Sequence, residues 1–75
     1  MREPWSLPIA AMLAESVQQI GRGQTVILLQ RVIGQRPDGI VDDMTRLLVS
    51  AMEATYGAEE IRRRFELEVD DWIGI

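Results

Sequence analysis

Four stretches of the chain carry apolar residues at helical spacing, and glycines or a glycine-containing turn separate them. In the first, Ile9, Met12, Leu13, Val17 and Ile20 share one face. Ser6 stands where a helix cap would, and Pro8 falls at the second helical position, where its missing N–H costs nothing. Residues 1–6 read as an irregular lead, and Gly21 and Gly23 are expected to end this helix. The second stretch, about 24–33, has Val26-Ile27-Leu28-Leu29 and Val32-Ile33 around most of its circumference, the mark of a central, buried helix. Its β-branched content would also suit a strand. Gln30-Arg31 interrupts the run so as to leave one narrow polar stripe that touches water, which favours a helix, and Gly34 is a natural stop.

Residues 35–41 read as a loop built on the turn Pro37-Asp38-Gly39. Asp42 is a good N-cap, and Asp43 adds negative charge to the first turn. Met44, Leu47, Leu48, Ala51, Met52 and Thr55 form the apparent inward stripe of a third helix, which Gly57 stops. Glu59 and Glu60 open a fourth, with Ile61, Phe65, Val69 and Trp72 on one face, and the tail Trp72-Ile73-Gly74-Ile75 is apolar. There is no strand alternation and no internal repeat. The pattern predicts one all-α domain over 1–75: a lead at 1–6, a three-helix core at 7–56 and a C-terminal helix at 58–73.

Composition narrows the chemistry. At 75 residues with 47% hydrophobic content the chain can build one core and is too apolar for disorder. A core of this size typically leaves only ~3–5 kcal/mol of stability. The chain has no cysteine and no histidine, which removes disulfides, thiolate metal sites and the commonest general base. The net charge of −4 opposes nucleic-acid binding, and Arg62-Arg63-Arg64 sits among Glu59, Glu60, Glu66 and Glu68 as a salt-laced helix face. No run approaches the roughly 18 apolar residues of a membrane span. Pro4, Ser6 and Pro8 break any signal-peptide pattern, so the chain is expected in the cytoplasm unless lysis or a partner releases it.

Asp42-Asp43, Glu59-Glu60 and Asp70-Asp71 are adjacent pairs, and neighbours on a helix point apart, so none makes a glycosidase carboxyl pair. No Asp-x-Asp-x-Asp-Gly loop would hold a cation. Gly21-Arg22-Gly23 lacks the strand and the Gly-Lys-Ser/Thr of a phosphate loop. No cofactor or metal is expected. Gln30 and Arg31 are the best ligand-contact candidates. Asp38 and Gly39 suit the turn itself, and Trp5, Tyr56 and Trp72 offer rings for sugar stacking or for packing. Phe65, Trp72, Ile73 and Ile75 are the candidates for an apolar interface.

The order Leu28-Leu29-Gln30-Arg31, then Pro37-Asp38-Gly39-Ile40-Val41, then Thr45 resembles the L-Q-R-x-L-G … D-G-I/V-x-G-P-x-T pattern of helical peptidoglycan-binding domains. Upstream, Glu15-Ser16-Val17-Gln18-Gln19-Ile20-Gly21-Arg22 resembles the D-x-x-V-N-x-G-P stretch in phage muramidases of glycoside hydrolase family 108. Downstream, Arg62-Arg63-Arg64-Phe65 is similar to their basic-aromatic final helix. The likeness covers about 7–65. Three positions depart from it: Glu15 stands for Asp, Gln19 for Asn, and Asp42-Asp43 for Gly-Pro.

The resemblance implies a compact three-helix peptidoglycan-binding fold with a shallow groove beside the Asp38-Gly39 turn, where Gln30, Arg31, Asp38 and Gly39 would contact glycan or stem peptide. Family members carry a catalytic glutamate in a Glu-Gly-Gly segment that this sequence does not contain. The expectation is therefore a non-catalytic module of phage or prophage endolysin origin, acting at the bacterial cell wall, or a piece of a longer lysozyme. The rival is a small acidic phage-type protein that reuses the scaffold to bind or inhibit a protein partner, as a homodimer in one version.

Overall fold

A computed structural model describes residues 5–74; residues 1–4 of the lead and the interface candidate Ile75 lie outside the described residues. Four helices follow in order: α1 (Leu7–Ile20), α2 (Arg22–Val32), α3 (Asp43–Tyr56) and α4 (Ala58–Ile73). No strand occurs among the described residues. The protein is an all-α bundle of four helices.

Two of the three connections are single residues. Gly21 ends α1 and starts α2, and Gly57 does the same for α3 and α4. Their φ,ψ values (89°, 164° and 88°, 159°) lie in a region open essentially only to glycine. Each donates its N–H back into the helix it ends, Gly21 to Val17 and Gly57 to Glu53, and each lends its carbonyl to the next helix. Gly23 was expected to help end α1 and instead lies inside α2, because Gly21 alone makes the corner.

Ser6 occupies the cap position of α1 and its carbonyl accepts from the Ala10 N–H, but its hydroxyl makes no capping bond. Pro8 falls in the first turn, where it fits. Within α1, Ser16 turns inward and Val17 is partly exposed, the reverse of the apolar pattern. The Thr25 hydroxyl donates to the Gly21 carbonyl at 2.7 Å. It therefore accepts from the Ser16 hydroxyl at 2.8 Å, since it has one hydrogen to give. This buried chain of hydroxyls fastens α1 to α2 across the glycine corner.

The core gathers Ile9 and Met12 of α1, Leu28 and Leu29 of α2, Val49 of α3, and Ile61 and Phe65 of α4. Helix α4 is integral to it: it packs against each of the other three, with Phe65 only 2% exposed. Phe65 thus belongs to the core and not to a surface interface. Trp72, placed by spacing on the same face, is instead 51% exposed in the last turn of α4.

Helix α3 presents a different face from the one the apolar stripe indicates. Thr45 and Val49 are buried, with Leu48 and Met52 half-buried beside them, while Met44, Leu47, Ala51 and Thr55 face outward. The helix carries apolar residues on two overlapping stripes, and its first turn decides between them. Asp42 and Thr45 form a capping box, and Thr45 is drawn in by polar partners described below. If this assignment holds, urea denaturation will separate two truncations. Phe65→Ala should lose about 3–5 kcal/mol. Leu47→Ala, at a residue 62% exposed, should stay within ~0.5 kcal/mol of the parent.

Candidate functional site

The residues that carry the sequence motif meet in one hydrogen-bonded knot between α2 and α3. Its centre is Gln30, which is 0% exposed. The Gln30 amide nitrogen donates to Asp38 Oδ1 at 3.0 Å and to the Ile40 carbonyl at 2.8 Å, and lies 3.4 Å from the Thr45 hydroxyl. Its oxygen accepts the Gly39 N–H at 2.9 Å. Both amide hydrogens and the carbonyl oxygen are thus used inside the fold. Gln30 does not form the solvent-touching stripe expected of it. It positions the turn and offers no surface to a ligand.

Asp38 Oδ1 also accepts the Ile40 N–H at 3.0 Å, which closes the turn with the aspartate's own side chain. The turn rests on α2: a Cβ built on Gly39 would lie 3.5 Å from Ile27 Cγ1 and 3.7 Å from the Gly23 carbonyl oxygen. At the foot of α3, Asp42 Oδ1 accepts the Thr45 N–H at 2.9 Å and the Gln35 amide at 3.2 Å. The Thr45 hydroxyl lies within reach of Gln35 Oε1 (2.7 Å) and Asp42 Oδ1 (2.9 Å), and its single hydrogen serves one at a time. Gln35 and the buried Thr45 are the members that propensity alone did not single out. The spacing from the Asp-Gly turn to Thr45 was the available signal.

These bonds set the local electrostatics. The Ile40 N–H, and then the Gln30 amide, hold the Asp38 carboxyl below its ordinary value. The Thr45 N–H, then its hydroxyl and the Gln35 amide, do the same for Asp42. Glu60 is held at about 2 by hydrogen bonds from Arg63 and Arg64. A general acid needs the opposite shift.

Arg31 follows Gln30 but points the other way. It is an exposed cation whose Nε sits 2.9 Å from Glu68 of α4. Trp72 and Ile73 are exposed at the end of α4, and Tyr56 is exposed under the Arg64 guanidinium, 4.9 Å from its ring centre. Trp5 packs against the core and is only partly exposed.

A concavity lies away from the turn, as an open groove of about 420 Å³ between α1 and α4. Met12 and Phe65 contribute its apolar lining, and Glu15, Gln19, Glu66 and Asp70 its polar lining. Glu15 and Gln19, two of the positions that depart from the muramidase pattern, therefore share one surface. Sequence could not show this groove, because it exists only through the packing of α1 on α4. Arg62, also at the groove, is neutralised by Glu66 at 2.9 Å. Among the described residues, no group of three or more carboxylates gathers where a metal ion could be held, and no helix is long and apolar enough to cross a membrane.

No protein-family model, curated protein or solved structure matches the chain.

Two outcomes follow from the knot. Gln30→Leu conserves bulk but orphans the Gly39 N–H and the Ile40 carbonyl, at about 1–3 kcal/mol for each group left buried and unpaired. Urea unfolding should show the loss, and hydrogen exchange should show the Gly39 amide losing protection first. The second outcome concerns acid. Asp38 and Asp42 have folded-state values below their ordinary 3.8, so their contribution is complete above that pH. It is lost as pH falls through the lowered values. Because Asn caps helices about as well as Asp, Asp42→Asn should melt near the parent temperature at pH 7. Below pH 4 its melting temperature should fall less steeply than the parent's, as read by circular dichroism.

Proposed function

We propose that this protein is a non-catalytic, peptidoglycan-binding-like module of phage or prophage endolysin origin. The observation that carries the reading is the knot: Gln30, Asp38, Gly39 and Thr45, the residues behind the resemblance to peptidoglycan-binding domains, act as one structural unit. A chance match among apolar helices gives no reason for four polar or turn residues, spread over two helices and a loop, to converge. The absence of catalysis draws support from the carboxylates. Asp38, Asp42 and Glu60 are each committed to hydrogen bonds that keep them ionised, which suits turns, caps and ion pairs and not proton donation.

In this reading the motif shapes the binding surface from beneath. Gln30 and Asp38 hold the turn, while exposed groups meet the ligand. Arg31, exposed beside Glu68 of α4, is the leading contact, and the backbone of the Pro37–Gly39 turn is a second candidate. A guanidinium suits the carboxylates of stem peptides. The Arg31–Glu68 pair is partly exposed and contributes little to stability, so Arg31 can exchange partners at small cost.

A second reading rests on a separate observation. Trp72 and Ile73 stand exposed together at the end of α4, on a chain of net charge −4. Such a surface suits a small acidic interaction protein that kept the scaffold and binds a protein partner.

Co-sedimentation with purified sacculi tests the first reading. Wild type should pellet saturably, and Arg31→Ala should weaken binding about tenfold or more, the worth of one charge-assisted hydrogen bond. Glu68→Ala releases Arg31 and should leave binding unchanged or stronger. Equal losses from both variants would mean that the ion pair matters only to the fold. Folded wild type that stays in the supernatant would sink the wall-binding reading and make Trp72 the first residue to mutate.

A further inference from the structure

Helix α3 is packed on one side and bare on the other. Its outward face carries Met44, Leu47, Ser50, Ala51, Ala54 and Thr55, all exposed. Asp43, at the N-terminal edge, is the one fully exposed charge on the helix, and Arg46 holds it at 3.0 Å. The outward face of α4 shows the contrast: apart from Leu67 it carries Arg62, Arg63, Glu66, Asp70 and Asp71. Solvent alone explains the α4 pattern and not the α3 one.

We infer that the outward face of α3 pairs with the same face of a second copy, antiparallel about a two-fold axis near Ser50. Three features of the helix select this occupant. The first is steric. The large residues, Met44 and Leu47, lie in the N-terminal half, and the small ones, Ala51 and Ala54, in the C-terminal half. Reversing one helix against the other sets large side chains over small ones along the whole contact, as an isologous interface requires. The second is charge. Arg46 and Glu53 are two helical turns apart on the same flank of α3, both half-buried. In an antiparallel pair each Arg46 comes beside Glu53 of the partner subunit, and the two-fold makes this contact twice. Copies of net charge −4 repel over most of their surface, and this face, whose one exposed charge is Asp43 held by Arg46, lets them approach. The third is the backbone, since antiparallel helices oppose their dipoles favourably.

One helix of 14 residues spans about 21 Å and buries less than the ~800 Å² per partner of a standard interface. The dimer is therefore weak and reversible. Linked to a repetitive surface such as the cell wall, even weak pairing raises avidity.

Sedimentation equilibrium up to ~1 mM protein measures the association. Wild type should dimerise, and Ala51→Glu should abolish dimerisation while leaving the helical circular dichroism intact. Arg46→Glu should weaken association ~10-fold or more, and the double variant Arg46→Glu with Glu53→Arg should restore it. The chain has no native cysteine, so Ser50→Cys reports the axis directly. It should form a disulfide-linked dimer faster than Arg63→Cys on α4. A monomer at ~1 mM with no preferred Ser50→Cys cross-link overturns the inference. So does an association that Ala51→Glu leaves unchanged.

Discussion

The rest of the structure depends on one buried amide. Helices α1 and α2 meet at Gly21, and α3 and α4 meet at Gly57, so each pair is set by a single corner. The stretch 33–42 joins the two pairs, and it has no repeating backbone hydrogen bonds to order it. Gln30 supplies what is missing. It satisfies the Gly39 N–H and the Ile40 carbonyl and braces Asp38, all from inside α2. A carboxylate at this position would lose both donors and bring a negative charge against Asp38. A leucine would fill the space and leave the loop's polar groups without partners. An amide is the neutral side chain that offers two N–H donors and a carbonyl acceptor together, which is what Asp38, Ile40 and Gly39 require here.

That dependence changes what the sequence motif means. A Gln followed by Arg, then Asp-Gly, then Thr invites the view that the polar residues face a ligand. Gln30 and Thr45 are instead buried, and Asp38 spends one oxygen on two internal bonds, one from the Gln30 amide and one from the Ile40 N–H of its own turn. The motif encodes the shape of the loop. On the proposed wall-binding reading, ligand contact would fall to exposed groups, Arg31 first among them. The departures Glu15 and Gln19 lie elsewhere, in the α1–α4 groove, so they leave the knot untouched.

Helix number, the stops at Gly21 and Gly57, the Asp42 cap and the Pro-Asp-Gly turn were legible because each depends on a few adjacent residues. The shared face of Ile61 and Phe65 was legible from their spacing, but that spacing did not tell core from interface: Phe65, an interface candidate by sequence, is buried, while Trp72 on the same stripe is exposed. The face of α3 was not. Met44-Leu47-Ala51 and Leu48-Val49-Met52 are both sound helical stripes, and periodicity cannot rank them. The choice is made by Thr45, a polar residue whose inward position depends on Gln30 and Gln35 from other segments. Val17 and Ser16 repeat the lesson on a smaller scale. Apolar spacing favours Val17, yet Ser16 is the residue that can reach the Thr25 hydroxyl. Where a buried polar partner exists, it overrides hydrophobic periodicity, and the partner is visible only in three dimensions.

The same logic bears on how so small a domain holds together. One-residue corners at Gly21 and Gly57 leave almost no loop to order, which limits the entropy cost of two connections. The cost is concentrated in 33–42, and there the polar bonds are densest: Gln30, Gln35, Asp38, Asp42 and Thr45 all act within or beside it. A binding surface built on this loop would be ordered before its ligand arrives, so little affinity would be spent on arranging it. The arrangement also separates two tasks. The knot side of α3 is consumed in holding the loop, while its opposite side, bearing Leu47, Ala51 and Ala54, takes no part in the core. Substitutions on that outer side can therefore change association without disturbing the fold, whereas the knot must be kept by any function that uses the loop.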